Sequence, residues 1–233
     1  MKEKEKKIFM LDKPISILQV VLTMLFVGAL LVSNIISARL FRFFGYSMTC
    51  AVIVFPITYI LSDLFSEVYG YKWSRFTCYL GFGINLFAVG VFYLATALPA
   101  VIPAQDEAFR TILIGTFSCT MASFIAFVVG DFVNDKIFDK MKKKHDGLTN
   151  HKGFAVRAIL SSFAGEVVDS SVYLPLAFLV FNPIMTGTEV LTMIAIQASL
   201  KTAYEIIVLP LTTYLTKKAS SYEQKFLQKG ETV

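Results

Sequence analysis

Six long apolar runs divide the chain, at about Ile15–Ser37, Met48–Ser66, Phe76–Leu98, Thr111–Asn134, Phe154–Phe181 and Val190–Leu215. Each is close to or above the ~20 residues that a helix needs to cross the hydrocarbon core, and the second is the shortest. Helices satisfy their own backbone hydrogen bonds in lipid. No turn-punctuated alternating strands of the kind a membrane barrel needs are visible. The pattern therefore predicts an all-α polytopic membrane protein with six transmembrane helices. It divides into an N-terminal tail over 1–14, a bundle over 15–215 and a C-terminal tail over 216–233. The first run is too long for the apolar region of a cleaved signal peptide, so it reads as a retained span. Between the runs, Leu40–Ser47 is expected to be partly extended. Pro99–Arg110 is expected to be a loop that can fold over a cavity mouth, and Asn182–Glu189 a short acidic link.

Composition agrees with the pattern: 55% of the residues are hydrophobic, and the mean hydropathy is +0.63. A soluble domain of this size is less greasy. The net charge of +5 is unevenly spread. Five Lys lie in the lead, Lys72 and Arg75 between runs two and three, six Lys between runs four and five, and four in the C-terminal tail. That makes seventeen on one side, against Arg39, Arg42 and Arg110 on the other. Positive loops stay in the cytoplasm, so both termini are expected there, as an even number of crossings also requires. The Lys-rich stretch Met141–Lys144 serves as this topology signal and can meet anionic lipid heads. No base-reading module surrounds it, so a nucleic-acid partner is not expected. His145 and His151 lack metal-ligand spacing. Cys50, Cys78 and Cys119 sit singly in apolar runs, as reduced packing residues do.

Candidate chemistry lies in the polar residues inside the spans. Each ionised side chain near the bilayer centre costs at least ~2.5–3.5 kcal/mol on insertion scales, so such groups face a cavity or one another. The spans keep Asp63, Asp131, Glu166, Asp169, Lys201 and Glu205, with Arg157 near the start of the fifth. At 1.5 Å per residue, Glu166 and Asp169 lie roughly 18 and 22 Å into the fifth span. Gln197 and Lys201 lie roughly 10 and 16 Å into the sixth from the opposite side. Asn85 is deep in the third span, and Asn34 is nearer the outer edge of the first. Asp63, Glu67 and Asp131 are nearer the cytoplasmic edge. Ser162, Glu166, Asp169 and Tyr173 form one helical stripe. Gln197, Lys201 and Glu205 form a four-residue ladder, as do Thr77, Gly81 and Asn85. These groups could simply tie the bundle together, with Lys201 paired to Glu166 or Asp169. The deep acids, however, outnumber the lone deep base, and a surplus of buried acids holds protons or awaits a hydrogen-donating ligand. A flat molecule rich in N–H donors suits that arrangement. A guanine-like edge, for example, offers two adjacent donors to one carboxylate. Gln197, Asn85 or Asn34 could read a carbonyl, and Tyr59, Tyr69, Tyr173 and Tyr204, with nearby Phe residues, could stack on a ring.

The stretch Pro56–Arg75, PITYILSDLFSEVYGYKWSR, carries Asp63 and Glu67 one turn apart and ends in Gly70, Lys72 and Arg75. Preceded by Phe55, it resembles the signature of the queuosine precursor transporter family, also called vitamin-uptake-like transporters. Other pieces agree with it: Ser33-Asn34, Gly130-Asp131, Asn134-Asp135, Arg157 with Ser161-Ser162, Gly165-Glu166 and Asp169-Ser170, and Gln197 with Lys201. The resemblance implies a six-helix inner-membrane protein, related in architecture to the substrate-binding components of energy-coupling-factor importers. It implies uptake of 7-deazaguanine queuosine precursors such as preQ0, preQ1 or queuine, for salvage into tRNA modification. Carried over by position, Glu166, Asp169, Gln197 and Lys201 surround the ligand, with Asn34, Asn85, Tyr173 and Ser162 beside them. Asp63, Glu67, Arg75, Asp131 and Arg157 form a gate or helix-locking network. No cofactor or metal is expected. The partners are the small heterocycle and the lipid bilayer, with a homodimer as one assembly open to so small a bundle. The alternative is a binding component for another vitamin-like heterocycle working with a separate ATP-driven module, since the chain has no Walker A run. An intramembrane aspartyl protease fits less well. Gly130-Asp131 hints at one, but Val128 breaks the fuller Gly-x-Gly-Asp pattern. A serine-type protease would need a histidine within a span.

Overall fold

The structure, a computed structural model, describes residues 15–144 and 151–230. It excludes the side chains at 55, 59, 71, 131, 132, 134–136, 138–144, 151–159, 161, 162, 229 and 230. Helix α1, Ile17–Ser37, starts at Ser16, whose hydroxyl accepts from the Gln19 N–H at 3.0 Å. That bond satisfies one of the orphan donors of the first turn. The chain then turns back through an antiparallel hairpin of β1, Leu40–Phe43, and β2, Tyr46–Thr49, with Leu40 opposite Thr49. Its two-residue turn places Phe44 and Gly45 at φ 49° and 87°, the left-handed region that tight hairpins use. The partly extended link expected over Leu40–Ser47 is this hairpin.

The second apolar run is not one uniform helix. β2 takes its first residues, and Cys50–Ile53 form a 3-10 turn. Helix α2 covers only Phe55–Leu64, and Phe65–Tyr69 form a π turn. Pro56 belongs in the first turn, because proline lacks an N–H to bond backwards. Gly70 follows at φ 84° and ψ 162°, a conformation open almost only to glycine. It breaks the helix so that α3, Tyr71–Ala97, can start in a new direction. At ~1.5 Å per residue the helical stretch from Cys50 to Tyr69 still rises about 30 Å, the thickness of a bilayer core.

Helix α4 spans Pro103–Lys144. The loop expected over Pro99–Arg110 is therefore confined to a few residues, and no flap forms there. Proline is pre-organised for a first helical turn, and Arg110 bonds back to Asp106 at 2.7 Å, an i,i+4 pair that supports the helix. Helix α5, His151–Pro175, continues as a π turn over Leu176–Phe181. Helix α6, Gly187–Gly230, opens on a capping box. The Thr186 N–H donates to Glu189 Oε2 at 2.8 Å, and the Glu189 N–H donates to Thr186 Oγ1 at 3.4 Å. The helix does not end at Leu215. It runs on through the segment read as a tail, and Glu223 accepts hydrogen bonds from the hydroxyls of Ser16 and Tyr69.

Five of these helices are long and apolar enough to cross a membrane: α1, α3, α4, α5 with its π turn, and α6. With the broken second segment they make an all-α polytopic membrane protein. The α4–α5 contact is the most extensive. A Cβ on Gly130 would stand 3.0 Å from the Gly165 carbonyl oxygen and 3.1 Å from Asp169 Cβ. Small residues at such a crossing let backbones approach where no hydrophobic effect drives helices together. One apolar cluster, around Cys119, Leu174, Phe178 and Met193, lies toward the hairpin end. A second, around Phe26, Leu61, Phe65 and Cys78, lies toward the Glu223 end.

Gly130→Ala is predicted to lower the melting temperature in detergent, through overpacking of about 1–3 kcal/mol. Gly83→Ala, with nothing within 4 Å of the added methyl, should leave it unchanged or raise it slightly. Equal effects of the two changes would contradict the close-crossing argument.

Candidate functional site

Between the two apolar clusters lies a cavity of about 280 Å³ to which all six helices contribute. The stripe of α5 brings Gly165, Glu166, Asp169 and Tyr173 to it, and one face of α6 brings Lys201 and Glu205. From α1 come Phe26, Leu30, Ser33, Asn34 and Ser37, and from the broken second segment Ala51, Thr58, Ser62 and Asp63. Helix α3 adds Cys78 and Phe82, and α4 adds Ser123, Phe127 and Gly130.

Lys201 and Asp169 form the central contact, with Nζ 2.7 Å from Oδ2. The Lys201 side chain is 6% exposed and that of Asp169 29%, so the acid opens toward the cavity while the base is nearly enclosed. Glu166 accepts from the Thr202 hydroxyl at 3.1 Å, which also bonds to the Ala198 carbonyl at 2.9 Å. Glu205 lines the same space, and Glu205 and Glu67 lie within electrostatic reach of Asp63. Among the described residues, four carboxyl groups thus line the cavity with one ammonium. Aromatic surface comes from Phe26, Phe82, Phe127 and Tyr173, with the Phe82 and Phe127 rings 5.2 Å apart at 46°. The Tyr173 hydroxyl is hydrogen-bonded to Ser37. The volume is close to the lower end for ligand pockets, ~300 Å³, and suits one small ring system.

Of the residues expected around a ligand, Glu166, Asp169, Lys201, Asn34 and Tyr173 line this cavity. Asn85 and Gln197 do not. Asn85 stands behind Asn34 and takes a hydrogen bond from it at 2.9 Å. Gln197 donates to Thr49 Oγ1 at 3.3 Å and ties α6 to the hairpin. Asp63, expected in a gate network, is a lining residue, whereas Glu67 is exposed outside the cavity and Arg75 is not among its walls. The side chains of Ser162, Asp131 and Arg157 lie outside the described residues. Among the tyrosines expected to stack, Tyr69 bonds to Glu223 and Tyr204 lines a small gap between α2 and α6. The Tyr59 side chain is outside the described residues.

Sequence reasoning did not single out as lining residues the hydroxyls of Ser33, Ser37, Thr58, Ser62 and Ser123, and it did not say which phenylalanines would be there: Phe26, Phe82 and Phe127. A signal for some of them existed. Ser33 with Ser37, and Thr58 with Ser62, are four residues apart in otherwise apolar helices and so share a face. The phenylalanines carried no signal, because aromatic residues occur on every face of these spans. Among the described residues, no three His, Cys, Asp or Glu side chains gather in a way that could hold a metal ion.

A membrane-crossing helical bundle around a small, aromatic-walled cavity that carries a few ionisable groups fits a multi-pass transporter that takes a small molecule within the bilayer. Residues 49–215 match the family model described as “Putative vitamin uptake transporter”. The match covers well over half of the chain, and the chain belongs to this family. Membership speaks for a carrier rather than an enzyme. Comparison with curated proteins and with solved structures gave no match.

Removing one partner of an enclosed ion pair leaves the other with less charge compensation. Asp169→Asn should therefore lower the melting temperature more than Lys201→Met, because the lysine left behind is the less exposed of the two. The double variant should recover part of the loss, with a coupling of about 1–3 kcal/mol. Additive single effects in thermal unfolding would show that the contact carries no stability.

Proposed function

We propose that this protein imports queuosine precursors, 7-deazaguanine bases such as preQ0, preQ1 or queuine, across the inner membrane. The observation that carries the reading is that, among the described residues, the carboxyl groups of Asp63, Glu166, Asp169 and Glu205 line one aromatic-walled cavity of single-ring-system size. A 7-deazaguanine edge offers adjacent N–H donors to Asp169 or Glu166, and its carbonyl can accept from Lys201. Its flat ring fits against Phe82, Phe127 or Tyr173. The resemblance of Pro56–Arg75 to queuosine precursor transporters and the family's description as vitamin uptake proteins support import of a vitamin-like heterocycle.

In this reading both termini are cytoplasmic, on the side that carries seventeen of the loop and tail Lys and Arg residues. The broken second segment is the remaining crossing. Glu166, Asp169, Lys201, Asn34, Tyr173 and Ser162 contact the guest, with Asn85 and Gln197 holding the walls. Asp63, Glu67, Arg75, Asp131 and Arg157 belong to the cytoplasmic gate, Asp63 also touching the guest. A homodimer is compatible with one cavity per chain. A second reading keeps the same cavity for another vitamin-like heterocycle and adds a separate ATP-driven module. The breadth of the family description favours keeping it in view.

A thermal-shift screen of purified protein should give a clear stabilisation by 7-deazaguanine precursors and none by adenine. Asp169→Asn and Glu166→Gln should each cut cellular uptake of the same bases at least ~10-fold while the protein remains folded. Unchanged uptake in both variants would remove the carboxylates from the reading, and stabilisation by an unrelated vitamin alone would favour the second one.

A further inference from the structure

We propose that Asn85 is a positioning residue that fixes which atom of Asn34 the cavity presents, making this side of the cavity a hydrogen-bond acceptor. Asn85 is fully buried and does not touch the cavity. Its Nδ2 donates to the Gly81 carbonyl at 2.8 Å, and its Oδ1 accepts from Asn34 Nδ2 at 2.9 Å. A backbone carbonyl can only accept, so the Asn85 branch that faces Gly81 must be the NH₂. The other branch is then oxygen, and only a donor can sit against it. Asn34 must turn its own NH₂ toward Asn85. Its carbonyl oxygen is left on the opposite branch, and Asn34 is a cavity wall. That oxygen is not among the buried polar atoms that lack a partner.

Gly81 serves the relay twice. It supplies the fixed acceptor, and its missing side chain leaves room for α1. A Cβ there would meet Leu30 Cδ2 at 2.9 Å and Phe26 Cε1 at 3.6 Å. The Asn34 oxygen adds a neutral acceptor to the carboxyl groups of Asp63, Glu166, Asp169 and Glu205. A guest that offers an N–H to each wall is matched. One that lacks a donor leaves an acceptor dry, and sites built on hydrogen bonds discriminate strongly against such analogues. The inference rests on the importer reading for the identity of the guest but not for the relay itself.

The test has two arms on the full chain in nanodiscs. In the first, ¹⁵N-asparagine labelling follows solvent exchange of the Asn34 NH₂, its resonance assigned by its loss in Asn34→Leu. Asn85→Leu should speed that exchange at least ~10-fold. Asn85→Asp, whose neutral carboxyl can donate to Gly81 and accept from Asn34, should keep it slow. In the second arm, binding is compared for 7-deazaguanine against 7-deazahypoxanthine and for guanine against hypoxanthine, pairs that differ by one amino group. Wild type should prefer the amino-bearing member at least ~10-fold. Asn85→Leu and Asn34→Leu should bring the preference below ~3-fold in protein that remains folded, and Asn85→Asp should retain it. Unchanged exchange in Asn85→Leu, or an undiminished preference in Asn34→Leu, overturns the proposal. If Asn85→Leu does not fold, Asn85→Asp takes its place in the exchange arm, where fast exchange overturns the relay. Asn34→Leu, which leaves the Asn85–Gly81 bond in place, then decides the binding arm. If wild type binds none of the four bases, the 7-deazaguanine reading fails, and the exchange arm alone decides the role of Asn85.

Discussion

The ion pair between Lys201 and Asp169 is the contact around which the bundle is arranged. A lysine in a membrane span is tolerable only beside an opposite charge or water. Here it is nearly enclosed and lies 2.7 Å from a carboxylate on the neighbouring helix. The pair fixes how α5 and α6 face each other, and it keeps Glu166 and Glu205, one turn away on either helix, beside the same cavity. Gly130 fixes the other side of α5, because a Cβ at that position of α4 would stand 3.0 Å from the Gly165 carbonyl oxygen and 3.1 Å from Asp169 Cβ. Asp169 is thus held from two directions, by a charge on one side and a backbone on the other.

The remaining walls follow a similar division of labour. Residues that touch the cavity are held by residues that do not. Asn85 holds Asn34, Thr202 holds Glu166, and Ser37 bonds to Tyr173 within the wall itself. The hairpin takes part as well, since the buried Thr49 anchors Gln197 one turn along α6 from Lys201. Polar groups in lipid cannot be left to water, so such partners lower the cost of placing them there. The result is a cavity whose hydrogen-bonding character is set largely from behind.

The far end of α6 extends the same logic beyond the bundle. Glu223 accepts from Ser16 at the start of α1 and from Tyr69 in the π turn, beside the apolar cluster of Phe65 and Leu61. A segment expected as a C-terminal tail thereby joins three elements on one side of the cavity.

The sequence by itself determined the lipid-crossing class, the presence and order of the long helices and the α5 and α6 faces that carry Glu166, Asp169, Lys201 and Glu205. Hydrophobic length and helical spacing are local properties, and they survive folding in a bilayer. Tertiary structure alone decided which polar groups face the void and which stand behind it. Asn85 and Gln197 looked like ligand contacts because depth and polarity do not reveal direction. The same lack of direction hid Phe26, Phe82 and Phe127, since an aromatic ring is equally at home against lipid, a neighbour or a cavity. The short loop before α4, the broken second segment and the long run of α6 also needed coordinates. Helix ends depend on caps and distant partners such as Ser16 and Glu223, which no window of sequence contains.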